Sequence, residues 1–159
     1  MANVTVRGAR QTSAALRELS KQVTVPLNAT SRFALQPTLT AARRNVRVLS
    51  FDESTGALAA SLTIKRDPKS HKVNPVHKVG PAADFERNGR QPVKYAHLIE
   101  FGTAPHFQPG RGVTHPGSAP KPFLTPAFHS TKDEVVKRFG DRIGPEMEKR
   151  AAKLNKKPT

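Results

Sequence analysis

The chain has 159 residues, no cysteine and 27 Lys+Arg against 12 Asp+Glu, a formal charge of +15. That length fits one domain, 1–159, able to bury roughly 70% of its unfolded surface, and two full domains are not expected. The missing cysteines remove disulfides, thiolate zinc ligands, iron–sulfur ligation and a cysteine nucleophile. The first fifteen residues lack the apolar stretch of a secretion signal, and no segment approaches the ~20 apolar residues of a membrane span. A soluble, non-secreted chain with no membrane contact is expected. Residues 1–50 hold eight Lys/Arg against the single acid Glu18, and residues 111–159 hold eleven against five, so the surplus sits at the two ends.

Leu16, Leu19, Val23 and Leu27 recur at helical spacing and predict a first helix over about 9–24, which Pro26 should end or bend. Leu35, Leu39, Ala42 and Val46 form the stripe of a second helix, with Arg43 and Arg47 on another face and a kink expected at Pro37. After the turn Thr55-Gly56, Leu58, Ala60, Leu62 and Ile64 alternate with Ala59, Ser61, Thr63 and Lys65, the period-two pattern of a half-buried strand. Within 67–92 the alternation Val76-His77-Lys78-Val79 predicts a hairpin return strand, followed by a mobile loop. Residues 93–101 are expected to form a second strand or a strand-helix hybrid, ended by Gly102 at positive φ.

Five prolines and three glycines between 104 and 122 predict a long loop or arm without regular structure. Phe123 should anchor the exit of that loop in the core. Thr125 then reads as a helix N-cap with Pro126 at the first helical position. Phe128, Val135, Phe139, Ile143, Met147, Ala151 and Leu154 run at mostly four-residue steps along one long C-terminal helix, to be kinked or split at Gly140 and Gly144-Pro145. Residues 155–159 read as a basic tail. The fold expected is α+β: N-terminal helices and a long C-terminal helix packed on a small antiparallel sheet.

Catalytic patterns are missing. His97, His106 and His115 stand nine residues apart, a spacing that suits neither structural zinc nor a one-turn helical pair. There is no G-x-S-x-G elbow, no G-x-G-x-x-G after a strand and no G-x-x-x-x-G-K-[ST]. Neither an enzyme nor a cofactor is expected. Glu100, between Ile99 and Phe101, invites two roles beyond an outward-facing side chain: capping a helix, or pairing with an arginine across an interface. The candidate basic contacts are Arg43, Arg44, Arg47, Lys149, Arg150 and Lys153. Their charge suits acidic protein surfaces or nucleic-acid phosphates alike. One tyrosine and no tryptophan make a poor stacking platform for single strands. A basic nucleic-acid-binding protein nevertheless stands as the alternative reading.

Three segments, in order, resemble the neck and tail-completion family of long-tailed double-stranded-DNA phages, to which tail-completion protein Z of lambda-like phages is related. Ser54-Thr55-Gly56-Ala57-Leu58-Ala59-Ala60-Ser61-Leu62 is similar to the family's T-G-x-L-x-x-S, matching Thr55, Gly56, Leu58 and Ser61. Tyr95 to Thr103 is similar to Y-A-x-x-x-E-F-G-T, matching Tyr95, Ala96, Glu100, Phe101, Gly102 and Thr103. Pro122-Phe123-Leu124-Thr125-Pro126-Ala127 is similar to P-F-L-x-P-A, matching Pro122, Phe123 and Pro126. Pro26 and Pro37 depart from the less interrupted helix such proteins usually show. The resemblance implies a non-enzymatic virion protein at the head-tail junction, present in the host cytoplasm during assembly. It would sit in a ring with copies of itself, against head-connector and tail-terminator or tail-tube proteins, with transient contact to packaged DNA.

Overall fold

The computed structural model describes residues 9–49, 56–71 and 74–155. It is an α+β fold built from α1 (Ala9–Ala34), α2 (Gln36–Val48), α3 (Ala57–Ser61), β1 (Leu62–Arg66), β2 (His77–Pro81), a 3-10 turn (Pro92–Lys94), α4 (Ala96–Phe101), β3 (His106–Gln108), β4 (Val113–His115) and α5 (Leu124–Asn155). The sheets are two separate antiparallel pairs, β1–β2 and β3–β4. The long α5 packs along both α1 and α2. No described helix is long and apolar enough to cross a membrane.

Pro26 does not end α1; the helix runs ten residues beyond the expected Thr24, to Ala34. A proline inside a helix removes one amide donor and crowds the preceding turn, at a cost of about 3 kcal/mol. Here Pro26, Thr30 and Ala34, spaced at four residues, form the buried line of the helix, so tertiary packing opposes that cost. Of the expected stripe, Val23 and Leu27 are half-buried, while the side chains of Leu16 and Leu19 lie outside the described residues. The break falls at Leu35. Pro37 therefore sits in the first turn of α2, where the lost amide has no helical partner to forfeit. The α2 stripe is as expected, with Leu39, Ala42 and Val46 buried and Leu35 partly so.

The strand expected from Leu58 begins only at Leu62. Gly56, at φ 55°, opens a helical turn instead, and Ala57, Leu58, Ala59 and Ser61 are all buried. Alanine has the highest helix preference, and its small side chain lets a single turn press against α2, leaving only Ala60 of the turn exposed. Leu62 and Ile64 then point into the core from β1, which pairs with β2 in the register Ile64 to Val79. The return strand lies one to two residues later than its predicted span.

Residues 93–101 form no strand. They build the 3-10 turn and α4, with Ala96 and Glu100 buried one turn apart and Tyr95 and Ile99 half-buried one turn apart. The apolar positions of this short segment satisfy both periods, and packing selects the helical one. The partner of β1 is consequently β2.

The Pro/Gly-rich loop also contains structure. Its strands β3 and β4 pair His106 with His115 and Gln108 with Val113. Pro109 and Pro116 fall just past the paired residues, so no ladder donor is lost. Thr103 and Ser118 exchange two backbone bonds of 2.9 and 3.0 Å and close the base of this hairpin. Gly102 (φ 73°) and Gly117 (φ 86°) flank the clasp; a Cβ at Gly102 would stand 2.5 Å from the Ser118 carbonyl oxygen, and one at Gly117 2.2 Å from that of Thr103. Neither position admits a side chain without opening the clasp.

Helix α5 begins at Leu124, which makes Thr125 and Pro126 its second and third residues, not cap and first. Gly140, Gly144 and Pro145 all lie inside it and do not split it. Its buried positions, Ala127 and Thr131, continue from the buried Phe123, while Phe128 and Ala151 are exposed and Val135, Phe139, Ile143 and Met147 half-buried. Leu154's side chain and residues 156–159 of the expected tail lie outside the described residues. Thr38 and Thr131 share a 2.7 Å hydroxyl bond between α2 and α5. The core is Leu39, Ala42, Val46, Leu58, Leu62, Ile64, Phe123 and Ala127 with their neighbours.

Candidate functional site

The residues with the most specific geometry meet at the start of α5. A helix leaves its first amides without intrahelical acceptors, and no Ser, Thr, Asp or Asn occupies the position before Leu124. Glu100 of α4 supplies the acceptors from 23 to 25 residues away. Its Oε2 accepts the Phe123 and Leu124 amides at 2.8 and 2.9 Å, and its Oε1 accepts the Thr125 amide at 2.8 Å. Glu100 is only 6% exposed. Burial pushes its pKa upward, but the amides of Leu124, Phe123 and Thr125 and the Thr125 side chain outweigh that, holding it below the ordinary glutamate value. A charged carboxylate also suits the positive end of the α5 dipole. Of the expected roles for Glu100, helix capping is the one the structure displays.

Neighbouring bonds complete the junction. Asn45 Nδ2 donates to the Phe123 carbonyl at 3.0 Å, and the Lys121 amide donates to the Ile99 carbonyl at 2.8 Å. Phe123 itself is 2% exposed and shares the core with Leu58 and Ala96. All three motif segments therefore converge: Leu58 and Ser61 from α3, Tyr95, Ala96 and Glu100 from α4 and its approach, and Phe123 at the head of α5. Gly56 opens α3, Thr103 forms the hairpin clasp with Ser118, and Gly102 flanks it. Thr55 lies outside the described residues, and Pro122 and Pro126 are exposed. Sequence spacing gave no warning of Asn45, a polar residue inside an otherwise ordinary amphipathic helix.

The candidate basic contacts are not brought together as a single patch. Arg43 is half-buried and its Nη2 donates to the Leu62 carbonyl at 2.7 Å, tying α2 to β1. It is a structural residue, unlike the exposed Arg44 and Arg47 on the same helix. On α5, Lys149 lies 3.8 Å from Glu146, Arg150 reaches Gln22 of α1 at 3.5 Å, and Lys153 is exposed.

A groove of about 590 Å³ runs between α4 and the β3–β4 hairpin, lined by Tyr95, Leu98, Ile99, His106, His115 and Lys121 among others. The nine-residue spacing of His106 and His115 is the hairpin register, which stacks their rings at 5.2 Å. The Gly117 amide donates to His115 Nδ1 at 3.0 Å. That bond engages the Nδ1 lone pair. Among the described residues no three His, Asp or Glu side chains group as a metal site. Around this region Phe101 is 72% and Phe107 61% exposed, and Leu98, Val113 and Phe128 are also open to solvent. Comparison with known protein families, characterised proteins and solved structures returns no match.

Proposed function

We propose that this chain is a structural subunit at the head-tail junction of a long-tailed phage, completing the neck or tail and joining it to the head connector within an oligomeric ring. The observation that carries the reading is the Glu100 junction. The residues that resemble the family's E-F-G and P-F-L-x-P-A segments are joined by three carboxylate–amide bonds. Such motifs are then requirements of shape. They serve to hold α4, the hairpin and α5 in one arrangement, and they need no substrate.

Surface composition supports the same role. A monomer that exposes Phe101, Phe107, Val113 and Phe128 keeps apolar area open that a neighbouring subunit would cover. A ring built by repeated head-to-tail contacts needs two different complementary patches on each copy. The hairpin beyond the Thr103–Ser118 clasp suits one of them as a preformed arm. Exposed basic residues such as Arg44, Arg47 and Lys153 suit acidic surfaces of adjoining head-connector, tail-terminator or tail-tube proteins. A strongly attractive lumen would retard DNA during ejection, so contact with packaged DNA is at most transient in this scheme.

Particles produced without the chain should appear in negative stain as separate heads and tails, and addition of the purified protein should join them. Normally joined particles in its absence would refute the role. The basic nucleic-acid-binding alternative predicts instead a steep log–log loss of duplex affinity with salt, set by the number of phosphates neutralised.

A further inference from the structure

A second cleft, of about 460 Å³, lies between the C-terminal part of α1 and the β1–β2 hairpin, lined by Asn28, Arg32, Thr63, Ile64, Lys65, Arg66 and His77. Its lining carries three permanent cations and one imidazole and no carboxylate. The nearby acids are already engaged: Asp84 pairs with Lys65, and Asp67 with Lys78 at 2.6 Å. No ion pair forms at Arg32 or Arg66 among the described residues. Arg66 is nonetheless held in place, donating from Nε to Ser70 Oγ at 3.2 Å and from Nη2 to the His71 carbonyl at 3.1 Å. His77 Nδ1 is sealed from solvent without a hydrogen-bond partner.

We propose that this cleft is a binding site for a dianionic oxyanion of the phosphate class, held by the guanidinium groups of Arg32 and Arg66, with His77 taking up a proton as the anion binds. The charge count selects a dianion. With Lys65 matched by Asp84, two uncompensated guanidinium charges remain, and a single carboxylate would neutralise only one of them. Planar guanidinium forks also suit the paired oxygens of phosphate.

The proton linkage follows from the surroundings of His77. The charged groups near it are Arg32 on α1, Lys65 and Arg66 on β1, and, on its own strand, Lys78 with its Asp67 partner. Burial, Arg32 and Arg66 together keep the imidazole below its ordinary pKa. An anion between the two arginines cancels their field at the ring, and the ring becomes easier to protonate. Proton uptake and anion affinity must then reinforce each other, because linkage is reciprocal.

Sulfate is the cleanest probe, since it stays dianionic while imidazole titrates. Imidazole resonances of the full-length protein, with His77 assigned through His77→Gln, would be followed from pH 5 to 8 with and without sulfate, and binding would be checked with inorganic phosphate. The His77 midpoint should rise on sulfate addition. Arg32→Gln should weaken binding roughly tenfold, the loss of about one charge-assisted hydrogen bond. It should leave the anion-free melting temperature unchanged, because Arg32 makes no hydrogen bond or ion pair among the described residues. Arg47→Gln, at another exposed arginine, on α2, should leave binding intact. A short DNA duplex that moves His77 in an Arg32-dependent way would name nucleic-acid phosphate as the source; a response to sulfate and phosphate alone would name a free anion. An unmoved His77 midpoint, equal losses in Arg32→Gln and Arg47→Gln, or a response to an acidic peptide but not to sulfate would overturn the proposal.

Discussion

Glu100→Ala is expected to destabilise the protein by about 2–4 kcal/mol at neutral pH and to lower its melting temperature by roughly 10 °C. Three amides at the head of α5 lose their acceptor together. Each costs about 1–3 kcal/mol if it stays buried and unpaired, and water reaching the partly exposed Leu124 and Thr125 offsets part of the sum. Glu100→Gln should fall between wild type and alanine, because the amide keeps one acceptor oxygen and turns a donor toward another donor. The carboxylate titrates below the ordinary glutamate value of 4.5, so the folded state binds its proton less readily than the unfolded chain. Its stabilisation is therefore fully present above about pH 4.5 and is lost as the pH falls below that value. Urea denaturation at pH 7 and pH 3.5 checks both points. The gap between the wild type and Glu100→Ala should narrow at the lower pH, and a gap that stayed constant would contradict the capping role.

Phe123→Ala should cost about 3–5 kcal/mol, a large share of the roughly 5–15 kcal/mol that holds an ordinary domain together. The side chain is fully enclosed by the cluster of Leu58, Leu62, Val46 and Ala127, so truncation leaves a cavity that a three-element junction cannot easily close. Phe128→Ala supplies the contrast. Its ring is 52% exposed, and its loss should stay within about 0.5 kcal/mol. Equal urea midpoints for the two variants would mean that the burial at the start of α5 is not as described.

These residues also show what the sequence discloses and what it hides. The α2 stripe is visible because its thirteen residues cover several helical turns with one burial pattern. Around 58–61 and 93–101 the elements are too short for that, and a run such as Val93 to Phe101 fits strand and helix equally. Only the packing of Ala96 and Glu100 on one side decides. Along α5 the start of the expected stripe is displaced, from Phe128 to Ala127 and Thr131, whereas Val135, Phe139, Ile143 and Met147 keep to it; a large apolar residue on the open face of a long, largely solvent-facing helix mimics a core position. Glu100 stood out as an acid within an apolar segment, but its partners are 23 to 25 residues away, and backbone amides carry no sequence signature. His106 and His115 look unrelated until the hairpin register joins them, since three-residue strands leave almost no periodic trace.

The claim beneath the functional reading is that the chain acts by fitting its surface to other subunits. The most direct measurement is the fraction of joined particles when chain-deficient heads and tails are supplied with the double variant Phe101→Asp, Phe107→Asp. Both rings lie on the surface, so the melting temperature should match that of the wild type while joining fails. A stably folded variant that restores joining to the wild-type level would contradict the account.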